Sequence, residues 1–244
     1  MNPHPGFLGS LTSGSLWAAA WTTIWLAVVA QLLGLVIGLV MAPLRRSRLA
    51  PLRWVSAAYV WFFRGSPELL QILAWYSVLP LVGVDLPVIA VGILGLGVNE
   101  GARMTEIVRG ALSSVDSGQT DAARVLGLGP WATARWVVLP QAARLIIGPL
   151  GNQMNYMFKT TSLVAFIGIV ELLRETQQAA QFTNAPLAVY LATATVYLAI
   201  TSVWGALQRF VEQRVAAGKA AVGPGRVLAR RRLSGLIEIP GAHL

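Results

Sequence analysis

Five apolar runs constrain this chain more than anything else in it. Each is near the roughly 20 residues a helix needs to cross a hydrocarbon core. They cover about Leu16–Leu44, Leu52–Val82, Leu86–Ala111, Leu145–Leu173 and Leu187–Phe210, the second and fourth interrupted by polar patches. Only 12% of the 244 residues are charged, against about 25% in soluble domains. The first run is too long for a signal-peptide core and has no basic residue before it, so it counts as a span. The expected fold is all-α: a polytopic membrane protein of about five transmembrane helices, with a short cytoplasmic helix between the third and fourth. Residues 1–15 precede the membrane domain, 16–214 form it, and 215–244 make a basic tail.

The net charge of +9 does not call for nucleic acid, because the positions of the basic residues explain it. Connections between spans alternate in Lys and Arg content. Arg45, Arg46, Arg48 and Arg53 follow the first span, and Arg109, Arg124, Arg135 and Arg144 follow the third; seven more lie between Arg209 and Arg232. The N-terminal segment and the connection around Gly83–Pro87 have none, and the fourth connection has only Arg174. Positive residues accumulate on the cytoplasmic side. The N-terminus is therefore expected outside and the C-terminus in the cytoplasm, with Arg230, Arg231 and Arg232 close to anionic headgroups or serving as a plain topology anchor.

Several chemistries are excluded. There is no cysteine, and the two histidines, His4 and His243, lie at the ends, so no thiolate or internal histidine metal centre is expected. No GxxxxGK[ST] loop is present, and Gly95-Leu96-Gly97 has Glu100 where a dinucleotide fingerprint needs its third glycine. No catalytic residue is assigned.

The polar segment Asp121–Pro140 interrupts this apolar pattern. Ser117 or Gln119 begins a short helix with Asp121 in its first turn, where an acid complements the helix dipole. Gly127 and Gly129-Pro130 end it. A second amphipathic stretch, Trp131–Leu139, follows, and Pro140 opens the next span. The small surface of Ala122 and Ala123 allows close approach by a partner.

This segment resembles the cytoplasmic loop of the inner-membrane permeases of ATP-binding-cassette importers. That loop has Glu-Ala-Ala, a Gly six positions after the Glu, an Ile sixteen after it, and a closing Leu-Pro. Asp121, Ala122, Ala123, Gly127, Val137, Leu139 and Pro140 match, with Asp for Glu and Val for Ile. Phe63–Gln71, FRGSPELLQ, resembles a signature of the permeases for polar amino acids. Asn99–Leu112 and Gly151–Leu163 are similar to their third helix and to their GNxxxxxxKxTSL segment. The resemblance covers most of residues 15–212.

Three intramembrane polar patches carry candidate roles, since charge in a bilayer faces a cavity or a partner. Pro67 lacks an N–H and disfavours helix at Ser66, so the second span breaks near Arg64, Gly65, Pro67 and Glu68. Arg64 and Glu68, four apart, either pair as a clamp or mark a break that lines a cavity. Asn152, Gln153, Tyr156, Lys159 and Thr160 recur at helical spacing, as an interhelical seam or a pocket wall; the resemblance favours the wall. Gln153 and Thr160 stand where members of the family often carry acids, which weakens the case for a cationic substrate. Asn99, Glu100 and Arg103 form the third patch, in which Glu100 and Arg103 either neutralise each other or meet substrate.

The resemblance implies a permease for a polar amino acid or close analogue in a bacterial inner membrane. It implies a second permease chain, identical or related, two ATPase subunits that bind the ATP and Mg, and an extracytoplasmic solute-binding protein. This chain itself would hold no cofactor or metal. The alternatives are an importer permease for another small solute and a membrane-embedded lipid-modifying enzyme.

Overall fold

The computed structural model describes residues 6–221, and every element in that range is helical. In chain order they are α1 (Phe7–Leu11), α2 (Gly14–Arg45), α3 (Ala50–Gly65), α4 (Glu68–Leu81), α5 (Val88–Ser113), α6 (Ser117–Val125), α7 (Pro130–Thr133), α8 (Leu139–Thr160), α9 (Leu172–Gln181) and α10 (Pro186–Ala221). A π-helical turn, Ala134–Val138, joins α7 to α8, and a 3-10 segment, Thr161–Ile167, follows α8. The all-α expectation is met.

Contacts divide the chain after Gln208. The first unit holds α1–α9 and most of α10. In the second, the described part is the remainder of α10, where the Arg214 guanidinium carbon lies 5.0 Å from the Phe210 ring centroid. The helix continues beyond residue 214, where the basic tail was expected to begin. The rest of that tail, including Arg230, Arg231 and Arg232, lies outside the described residues, as do His4 and His243.

The first unit is organised around α2 and α5, its most extensively paired helices. Both carry glycines four apart at the contact, Gly34 and Gly38 on α2 and Gly97 and Gly101 on α5. A Cβ at Gly38 would fall 2.5 Å from the Met104 Cβ, and one at Gly34 2.7 Å from the Glu100 Cγ. Paired small residues let helix backbones approach where lipid offers no hydrophobic drive to association. Around this seam pack Leu26, Ala27, Ile72, Leu96, Met157 and Val164. Leu32, Val36, Leu39 and Val40 on α2 are exposed, as suits a helix with lipid on one side.

By length and composition, two described helices could each cross a membrane: Gly14–Arg45 and Pro186–Val215. A third candidate is bent by 53° between Pro130–Ile167 and Leu172–Gln181. The left-handed Gly168 (φ +91°) lies at that bend. The remaining two of the five expected spans have identifiable reasons for falling short. α3 and α4 are separated at Ser66–Pro67, and α5 carries Glu100, Arg103, Glu106 and Arg109.

Candidate functional site

The break between α3 and α4 is built as Pro67 demands. Ser66 is extended (φ −117°, ψ 152°), which is where the residue before a proline is driven. Ending α3 frees carbonyls that lipid cannot solvate. Gln71 answers them: its Nε2 donates to the Phe63 carbonyl at 3.1 Å, the Ser66 carbonyl at 3.1 Å and the Ser66 hydroxyl at 2.8 Å. The Asn99 amide reaches the Phe63 carbonyl at 3.1 Å and the Gln71 Oε1 at 2.7 Å. α5 thus stitches the break between α3 and α4.

Arg103 then joins three of the predicted patches. Its Nε donates to Glu100 Oε2 at 3.2 Å, and Nη2 donates to Asn99 Oδ1 at 2.7 Å and to Glu68 Oε1. The same Glu68 oxygen accepts the Tyr156 hydroxyl at 2.6 Å, and the Arg103 guanidinium lies 4.7 Å from the Tyr156 ring centroid. Glu68 therefore pairs with Arg103 of α5 rather than with Arg64, which is exposed. The expected Glu100–Arg103 pair is present. Glu100 is only 1% exposed, so it anchors Arg103 from behind.

In front of this network opens a cleft of about 400 Å³, lined by Pro67, Glu68, Tyr156, Lys159, Thr160 and Ser162 among others. Tyr156, Lys159 and Thr160 of the predicted stripe meet there. Asn152 is directed elsewhere, accepting from Gln208 Nε2 of α10 at 3.0 Å. Gln153 does not line the cleft, and its Oε1 is buried without a hydrogen-bond partner.

The Asp121–Pro140 segment forms the expected helical hairpin, with one change at its start. Asp116 is the N-cap of α6 and accepts from the Gly118 N–H at 2.7 Å, so Asp121 falls past the first turn. Asp121 accepts instead from Arg124 at 3.1 Å. α6 ends in a Schellman turn: Leu128 N–H donates to Ala123 O at 3.0 Å and Gly127 N–H to Arg124 O at 2.9 Å. Gly127 takes φ +80°, a conformation that glycine adopts without a Cβ penalty. Ala123 is buried in the hairpin. Val125, Leu126 and Trp131 are 87%, 80% and 75% exposed, an apolar surface in an otherwise polar segment. Val137 lies in the π turn, and Leu139 and Pro140 open α8. Pro140 has no N–H to give an α-helical bond, and the i→i+5 bond from Leu139 to Ala134 O absorbs the irregularity.

One further carboxylate, which no sequence motif singles out, is buried. Glu171 is fully buried at the bend before α9 and accepts from Arg174 N–H at 2.9 Å and Tyr197 OH at 3.0 Å. Beside it Thr23 accepts from Leu172 N–H at 3.2 Å. Its one local signal is a polar residue opening a polar helix after an apolar run, the position of a cap.

Long apolar helices, a helix break satisfied by buried amides, a largely buried ionic network and an exposed helical hairpin together describe a helical membrane protein. Residues 34–217 match the family model described as binding-protein-dependent transport system inner membrane component. The probable amino-acid ABC transporter permease protein YckA of Bacillus subtilis is 36% identical over 172 residues, 70% of this chain and 76% of the relative. The arginine transport system permease protein ArgU of Corynebacterium glutamicum is 34% identical over 217 residues, 83% of this chain and 67% of the relative. The crystal structure of an amino acid ABC transporter with histidines is 30% identical, with a TM-score of 0.78 over 82% of this chain and 94% of that one. This chain belongs to the family of inner-membrane components of binding-protein-dependent transport systems. It is a multi-pass membrane permease of the ABC importer type, not an enzyme, and it works with a separate ATPase and a binding protein.

Proposed function

We propose that this chain forms the translocation pathway of an ATP-driven importer for a polar amino acid or close analogue. One observation carries the reading: a single helical run, Pro130–Thr160, bears the exposed hairpin surface at one end and the cleft at the other. Trp131 and Tyr156 lie about 40 Å apart along it at 1.5 Å per residue. A rigid element of that length transmits displacement from a docking surface to a substrate site. The cleft offers Lys159, Tyr156 and Thr160, with the Glu68 carboxylate already taken up by Arg103 and Tyr156. Such a lining suits a small zwitterion whose carboxylate meets Lys159.

In this arrangement the protein has five spans, with its N-terminus outside and its C-terminus cytoplasmic. α5 and the α3–α4 pair complete the five, with Glu68, Glu100 and Arg103 neutralising one another between them. Two permease chains, identical or related, enclose a central pathway. Two ATPases bind ATP and Mg and dock on the paired Asp121–Pro140 hairpins; a solute-binding protein delivers cargo from outside. Nucleotide state then biases the inward–outward equilibrium. The names of the relatives support an amino acid as cargo.

The test is uptake by the assembled transporter in proteoliposomes, over an amino-acid panel presented with the cognate binding protein. Gly127→Asp, which forces a side chain into a left-handed turn on the docking surface, should abolish uptake while the chain remains in the membrane. Normal uptake by that variant would sink the docking assignment. Lys159→Ala should raise KM for the preferred amino acid with little change in ATPase docking.

A further inference from the structure

Away from the cleft, the connection between α2 and α3 folds against the last turns of α5 and leaves a cavity of about 490 Å³. Arg45, Arg46, Arg53, Trp54 and Arg109 line it. The rule that basic residues gather at one membrane face accounts for arginines in the connection. It does not account for their convergence on one cavity with Arg109, which comes from a different helix. Among the described residues a single carboxylate pairs with them: Glu106 accepts from Arg109 Nη2 at 2.7 Å and lies 3.6 Å from Arg45 Nε. Arg46 and Arg53 have no ion-pair partner among the described residues. Several like charges around one cavity repel each other unless an anion enters, and planar guanidinium forks match phosphate oxygens.

The rim identifies the source of that phosphate. Trp54 is 68% exposed, and Leu49 and Val55 beside it are exposed as well. An exposed tryptophan among basic residues at the end of an apolar span marks the headgroup level of a bilayer. We propose that this cavity binds the phosphodiester headgroup of an anionic phospholipid, with Arg46 and Arg53 on its non-bridging oxygens and Trp54 at the acyl boundary. A bound headgroup would join the start of α3 to the end of α5, one short connection before the hairpin. The proposal relies on the cytoplasmic assignment of this face only for which leaflet supplies the lipid. Binding to solubilised protein does not depend on that assignment or on transport.

The experiment is native mass spectrometry of the full-length permease in detergent, titrated with phosphatidylglycerol or phosphatidylcholine. Arg46→Gln, Arg53→Gln and Arg48→Gln each remove one charge from the same connection, but Arg48 does not line the cavity. Each leaves enough arginine there to keep the orientation signal. The expected result is phosphatidylglycerol preferred over phosphatidylcholine, with Arg46→Gln and Arg53→Gln each weakening it about fivefold and Arg48→Gln leaving it unchanged. Equal loss in all three variants, or no preference for the anionic lipid, would overturn the site. Displacement of the lipid by inorganic phosphate mole for mole would overturn the lipid assignment in favour of a soluble anion.

Discussion

Arg103 shows how one residue can decide whether a membrane interior tolerates charge. Its guanidinium serves Glu68, Glu100 and Asn99 and covers the Tyr156 ring. Removing it leaves two carboxylates without their cation in a low-dielectric setting, and breaking a buried pair on one side costs about 3–5 kcal/mol. Arg103→Leu should therefore lower the unfolding temperature of the detergent-solubilised chain sharply; an unchanged melting curve would show that the network contributes nothing to stability. Gln71 is subtler. It carries no charge, yet three donor contacts from its amide satisfy the groups freed at the break. Gln71→Leu keeps the volume and loses those bonds, at a cost of about 1–3 kcal/mol for the acceptors left unsatisfied. Thermal unfolding should show a smaller decrease than for Arg103→Leu.

Among the elements, the α2–α5 seam is the most demanding. Gly38→Leu would place a Cβ 2.5 Å from the Met104 Cβ and push apart two backbones that the fold needs in contact. Overpacking of this kind costs about 1–3 kcal/mol or more, and the variant should lose its monodisperse elution in size-exclusion chromatography. Gly110→Ala, where a Cβ meets nothing within 4 Å, should elute as the parent does. The same elements show what a sequence can disclose. The helix break at Pro67 and the turn at Gly127 were legible because each follows from the backbone chemistry of one residue. The Glu100–Arg103 pair was legible from helical spacing. The partner of Glu68 was not, because Arg103 stands on another helix and local spacing offered Arg64 instead. Asn152 read as part of a continuous stripe, yet packing against Gln208 takes it to a different neighbour. The four glycines were visible, but their meeting across two helices is a property of the packing. Asp116 and the neighbouring Ser117 are equally good caps by residue type, so only the structure tells that Asp116 caps α6.

For the whole molecule, orientation governs the docking and coupling assignments, and the chain supplies its own means of testing them. Basic residues collect on alternate connections, and each one transferred across a membrane opposes the usual topology. The hairpin can meet an ATPase only if its face is cytoplasmic, and the proposed single crossing by the bent α8–α9 run then turns the connection between α9 and α10 outward. The sequence contains no cysteine, so a single introduced thiol reports its own location without background. Ser117→Cys, at the start of α6, and Asn184→Cys, before α10, are both at exposed positions outside the buried network. A membrane-impermeant maleimide should label Asn184→Cys in intact cells, or in spheroplasts where an outer membrane intervenes. It should reach Ser117→Cys only after permeabilisation. The reverse pattern would place the hairpin outside, where no ATP-driven partner could dock, and would remove the coupling assignment together with the orientation. Labelling of both sites from one side would mean an even number of spans between them, contrary to the broken α8–α9 run crossing the bilayer once.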